Sequence, residues 1–82
     1  MAATFHMEGK SKLEIDFFNN TEDRIENFAD DFELCKKNGI DFPLASVQDC
    51  IKEVRFNNEI LNQKDLNIRT DKVILYRIEP KD

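Results

Sequence analysis

The chain has 82 residues, and seventeen acidic against twelve basic side chains give it a net charge of −5. With 40% apolar and 35% charged residues and only two glycines and two prolines, it is not collagenous, low-complexity or disordered. No apolar run approaches the roughly 18–20 residues that span a bilayer, and the segment from Met1 to His6 lacks the basic and then apolar regions of a signal peptide, so the expectation is one soluble, cytoplasmic domain over 1–82.

The opening segment reads as a β-hairpin. Phe5 and Met7, then Leu13, Ile15 and Phe17, are apolar at alternate positions, with Glu8-Gly9-Lys10-Ser11 as a glycine-containing turn. The strands are expected near 3–8 and 11–18. Asn19-Asn20-Thr21 offers capping oxygens. Ile25, Phe28, Ala29, Phe32 and Cys35 then form one apolar stripe, predicting a helix over 21–38. Lys36 and Lys37 suit its C-terminal end. Asn38-Gly39 supplies a left-handed stop, with Ile40 placed to close it.

Asp41-Phe42-Pro43 breaks the chain. Ser46 with Asp49 resembles a capping box, and Val47, Cys50, Ile51 and Val54 share a helical face, which predicts a second helix from about 46 to 56. Against it, Val54, Phe56 and Ile60 also suit an alternating strand. Residues 57–71 are polar, with Ile60-Leu61 and Leu66-Asn67-Ile68 as short strands or helical turns. The strongest strand in the chain is 72–78, rich in β-branched and aromatic residues and ended by Pro80. The predicted class is α+β: a small antiparallel sheet, made of the N-terminal hairpin and the C-terminal strand, with two helices packed on one face. The predicted order is ββααβ, with an extra short strand admitted in 57–71.

Little in the sequence points to catalysis. His6 is the only histidine, and no serine or cysteine motif accompanies it. Gly9 and Gly39 are too far apart for a phosphate-binding loop. Cys35 and Cys50 fall on apolar stripes and are expected to be reduced core thiols, without zinc-ligand spacing around them. Glu22, Glu26, Asp30 and Glu33 read as a solvated stripe rather than a metal site. The chain is therefore expected to be non-enzymatic, with no cofactor or metal.

Two features are less ordinary. Residues 1–41 hold ten acids and five bases, while 42–82 hold seven of each, so the excess negative charge is confined to the first half. Within the first predicted helix, Glu22, Asp23, Glu26, Asp30 and Asp31 surround Leu34, an apolar residue on the polar side. Like charges four residues apart disfavour a helix by a few tenths of a kcal/mol, roughly, per pair. An apolar anchor rimmed by carboxylates suits docking on a basic protein surface, although Leu34 tucked against Ile40 or the second helix is the plainer alternative. Strand 72–78, moreover, is apolar on both faces: Val73 and Leu75 point one way, Ile74, Tyr76 and Ile78 the other. Either residues 57–71 cover the second face, or Phe18, Ile74, Tyr76 and Ile78 form a candidate interface on an open sheet face.

Three functions follow. The first is an acidic inhibitor or adaptor, of the accessory or phage-type kind that mimics nucleic-acid charge, docking its helix on a basic, nucleic-acid-binding protein. The second is a nucleic-acid-binding regulator using Lys52, Arg55, Lys64, Arg69, Lys72 and Arg77. The third is a homo-oligomeric structural or accessory subunit pairing through strand 72–78. Direct nucleic-acid binding and membrane binding are disfavoured by the negative charge.

Overall fold

The computed structural model describes residues 1–19 and 22–79, without the side chains of Glu22 and Arg24. Strands β1 (Ala2–Met7) and β2 (Ser11–Phe17) form the expected hairpin. Helices α1 (Glu22–Ile25) and α2 (Phe28–Lys37) follow. After them come β3 (Phe42–Pro43), a 3-10 segment Leu44–Cys50, β4 (Ile51–Phe56), β5 (Glu59–Leu61) and β6 (Asn67–Ile68). A 3-10 turn, Thr70–Lys72, leads into β7 (Val73–Glu79).

An antiparallel five-stranded sheet runs in the order β5-β4-β2-β1-β7, and β3 and β6 form a separate two-stranded ladder. Alternation dictates its two faces. Across the strands, Ile78, Ala3, Ile15, Val54 and Leu61 stand in one rung, and Tyr76, Phe5, Leu13 and Phe56 in the next. This is the covered face. Phe5, Phe17, Phe28, Phe32, Phe42 and Tyr76 meet there, with ring centroids 4.7 Å apart for Phe32 and Tyr76 and 4.9 Å for Phe28 and Phe42. The opposite face carries the rung Arg77, Thr4, Glu14, Arg55 and Ile60, and no described helix covers it.

The α+β class holds, but the order ββααβ does not. The expected single helix breaks at Asn27, whose backbone (φ −93°, ψ 5°) begins α2. Asparagine is a weak helix former, and Glu26 and Asp30 repel across this junction. The C-terminal stop is as expected: Gly39 takes φ +69°, its N–H donates to Lys36 O, and the Ile40 N–H donates to Cys35 O at 3.0 Å, the Schellman pattern. The Asn20-Thr21 part of the expected cap, and Pro80, lie outside the described residues.

The second helix, expected over 46–56, is absent. Leu44–Cys50 is instead two short 3-10 turns joined at Val47, whose backbone (φ −126°, ψ 19°) is not helical, and Leu44, Val47 and Cys50 are buried three residues apart. The Ser46 hydroxyl donates back to Pro43 O at 2.9 Å instead of capping a helix. From Ile51 the chain is a strand between β2 and β5. Ile51 and Val54 both point inward because the register slips between Asp16↔Glu53 and Phe17↔Ile51, leaving Lys52 as a bulge. That slip imitates helical spacing. A second bulge between β1 and β7 pairs His6 with Leu75 but Met7 with Val73, leaving Ile74 extra. Val73 thereby joins Tyr76 and Ile78 on the covered face, opposite to the alternation expected for it, while Ile74 and Leu75 are exposed.

Candidate functional site

Helix α2 buries Phe28 and Phe32 against the sheet and turns Asp30, Asp31 and Leu34 outward. Three polar contacts tie it and the loop that follows to the C-terminal segment. The Tyr76 hydroxyl donates to Glu33 Oε1 at 2.7 Å, the Lys36 ammonium to Val73 O at 2.8 Å, and the Thr70 hydroxyl to Ile40 O at 2.7 Å. Desolvation, reinforced by the Glu33 carboxylate and then by Asp30, pushes the Tyr76 phenol up to about 12. The helix is thus clamped along one flank. Its other flank faces solvent.

Asp23 on α1, Glu26 in the turn between the helices, and Asp30, Asp31 and Leu34 (59% exposed) on α2 all face solvent. Ile40 is likewise largely exposed, so Leu34 is not buried beneath it. Among the described residues, no cation pairs with any of these four carboxylates. The ion pairs lie elsewhere: Lys12–Glu14, Arg55–Glu53, Arg69–Asp71, Lys72–Glu8 and Arg77–Glu79. Among the described residues, charge is neutralised pairwise along the open sheet face and the C-terminal segment, and Asp23, Glu26, Asp30 and Asp31 have no such partner; the side chain of Arg24, between Asp23 and Glu26, lies outside them. The side chain of Glu22, the remaining member of the expected acidic face, lies outside the described residues.

The other expected patch is divided. Tyr76 and Ile78 are half-buried and packed against the core beneath the helices. Ile74, 68% exposed, stands at the bulge near the hairpin turn. Phe18 follows β2 at the far end of the sheet, where its N–H donates to Cys50 O at 2.8 Å and the Lys64 ammonium lies 5.9 Å from its ring centroid. Phe18, Ile74, Tyr76 and Ile78 therefore share no surface, and the exposed apolar residues of the open face are Leu75 and Ile60.

Of the cations set aside for nucleic acid, Arg55, Arg69, Lys72 and Arg77 are engaged by carboxylates. Cys35 is half-buried and Cys50 buried, and both are free thiols. Among the described residues, no three His, Cys, Asp or Glu side chains are placed to hold a metal ion, and no helix is long and apolar enough to cross a membrane. The sequence also gave no notice of a hollow between the two hairpin turns, lined by His6, Lys10, Lys12, Asn57 and Asn58 among others. Its one local signal is Asn57-Asn58 between two β-prone runs. No family model, curated protein sequence or solved structure matches this chain.

Proposed function

We propose that this chain is a small non-enzymatic interaction module, an inhibitor or adaptor, that docks the free flank of α1 and α2 on a basic surface of another protein. The observation that carries the proposal is the segregation of charge. Exposed carboxylates at Asp23, Glu26, Asp30 and Asp31 have no cationic partner among the described residues, whereas acids on the sheet face do. Unpaired like charge is a standing cost in the free protein that a basic partner relieves. Leu34 supplies the apolar anchor within the charged rim. A partner that itself binds nucleic acid presents the surface such a face would mimic.

The test compares capture of partners from the native host by the wild type, Glu26→Gln with Asp30→Asn, Leu34→Ala, and a control, Glu79→Gln, on the opposite face. The wild type and the control are expected to retain the same partner, and the two helix variants to lose it. Equal retention by all four overturns the proposal.

A second copy of the chain is a further reading, favoured by one observation. β7 is an edge strand of seven residues, and among the described residues no strand pairs with its outer side. Ile74 and Leu75 are exposed there. Open edges of this kind template pairing with another chain. Light scattering at moderate salt decides it: a concentration-dependent dimer abolished by Leu75→Lys supports edge pairing, and a monomer at all concentrations removes it.

A further inference from the structure

We infer that the hollow between the two hairpin turns is an anion site that takes the phosphate group of a small phosphorylated molecule. The hollow lies at the end of the sheet where the β1–β2 turn stands beside the β4–β5 turn, and its volume is about 540 Å³. That is within the range of small-molecule sites, which is roughly 300–1,000 Å³. Cations and donors come from three places: His6 on β1, Lys10 and Lys12 at the first turn, and Asn57 and Asn58 at the second. No carboxylate lines it, in a chain with seventeen acids.

The neighbouring acids are held: Glu8 meets Lys72 at 3.6 Å, and Glu14 pairs with Lys12 at 3.5 Å, which leaves Lys10 as the lysine of the hollow with a free charge. Lys10 has no ion-pair partner among the described residues. Asn57 is fixed by its neighbour: its Oδ1 accepts the Lys12 N–H at 2.9 Å, and its own N–H donates to Lys12 O at 2.9 Å. Its side-chain acceptor is thereby engaged, and its amide donors remain for a ligand. The lining gathers lysine, histidine and asparagine, the residue types that recognise a group with only acceptors and negative charge.

Backbone strain is concentrated at the same place. Every described residue other than glycine with a left-handed backbone lines the hollow: Lys10 (φ 63°), Asn57 (φ 51°) and Asn58 (φ 72°). Asparagine tolerates that conformation; lysine does so at a cost that glycine would avoid. A lysine held there against its backbone preference points to a use for its ammonium. A concave cationic site focuses field on an anion even where the distant surface is acidic, because salt screens the remote charges. Ile74, exposed at the rim, offers an apolar flank to the organic part of the ligand. A polymer fits less well, since the cations beyond the hollow on this face, Arg55 and Arg77, are paired with Glu53 and Glu79.

The experiment is an amide and side-chain NMR titration of the full chain with inorganic phosphate and a nucleoside monophosphate. The bare nucleoside and sodium chloride at matched ionic strength serve as comparisons. Saturable shifts confined to residues 6, 10–12, 57 and 58 are expected with both phosphates, with a dissociation constant of about 1 mM or tighter. Lys10→Gly, which relaxes the turn, is expected to keep or raise the melting temperature and to weaken binding by at least about fivefold. Shifts that chloride or the bare nucleoside reproduces, that fail to saturate, or that Lys10→Gly leaves unchanged overturn the inference. Tighter binding of an oligonucleotide, with shifts reaching Arg55 and Arg77, overturns it in favour of a nucleic-acid surface.

Discussion

Asn57 and Asn58 show how much one residue pair determines here. They are the two central residues of the β4–β5 hairpin, since Phe56 pairs with Glu59, and both have positive φ, the type I′ geometry that matches strand twist. Asn57 also staples the hairpin to β2 through Lys12. The positions are not equivalent. Asn58→Gly is expected to raise stability by about 0.5–1 kcal/mol, since glycine suits the left-handed region best and no hydrogen bond of the Asn58 side chain is described. Asn57→Ala is expected to lower stability by about 1–2 kcal/mol, losing both the tolerated backbone and the bond to Lys12. Urea denaturation of the two variants measures this, and indistinguishable midpoints would contradict it. The pair was hard to see in the sequence because Asn-Asn is a weaker turn signal than Asn-Gly.

At the scale of elements, contact between α2 and β7 can be read from a single group. Tyr76 is the only tyrosine, and the chain has no tryptophan, so tyrosinate absorbance reports it alone. Burial, then the Glu33 carboxylate, pushes the phenol from its ordinary 10.0 up to about 12. The native state therefore holds this proton more tightly than the unfolded chain does. The associated stability is complete below about pH 10 and is lost as pH rises towards about 12. Absorbance titration should show a midpoint well above that in urea. Glu33→Gln should lower the midpoint part of the way, because desolvation remains. An unchanged midpoint in Glu33→Gln would place the hydroxyl elsewhere.

The same scale shows what local sequence can and cannot reveal. The alternation of Phe5, Leu13, Ile15 and Phe17 marked β1 and β2 to within about a residue or two. The run from Val73 to Ile78 marked β7, and Asn38-Gly39 marked the end of α2. Apart from the helix break at Asn27, what was lost traces to two bulges. At Lys52 an extra residue made Ile51 and Val54 three apart and both inward, which reads as a helix. At Ile74 another exchanged the faces of Val73 relative to Tyr76, so a patch expected on one face was split. A bulge belongs to the pairing of two strands, not to either strand alone, and so has no local signature. Exposure of Asp30, Asp31 and Leu34, by contrast, follows from the helical period of α2, whereas the break at Asn27 takes Asp23 and Glu26 off that period.

At the scale of the whole molecule, the sheet separates two electrostatic environments. One side is a ladder of ion pairs along strands, Lys12–Glu14, Arg55–Glu53 and Arg77–Glu79, of the kind each worth about 0–1 kcal/mol and weakened by salt. Beyond the other face lies the helix flank with Asp23, Glu26, Asp30 and Asp31 unpaired among the described residues. If that flank is the docking surface, its charge acts at long range on encounter, and Leu34 acts at contact on residence time. The most direct measurement is the association rate with the captured partner across a salt series, for the wild type and for Glu26→Gln with Asp30→Asn. The wild-type rate is expected to fall as salt rises, and the variant to start slower and respond less, so that the two converge at high salt. Identical rates and identical salt dependence, in a variant that is folded and at least as stable as the wild type, would contradict the docking role of the acidic flank.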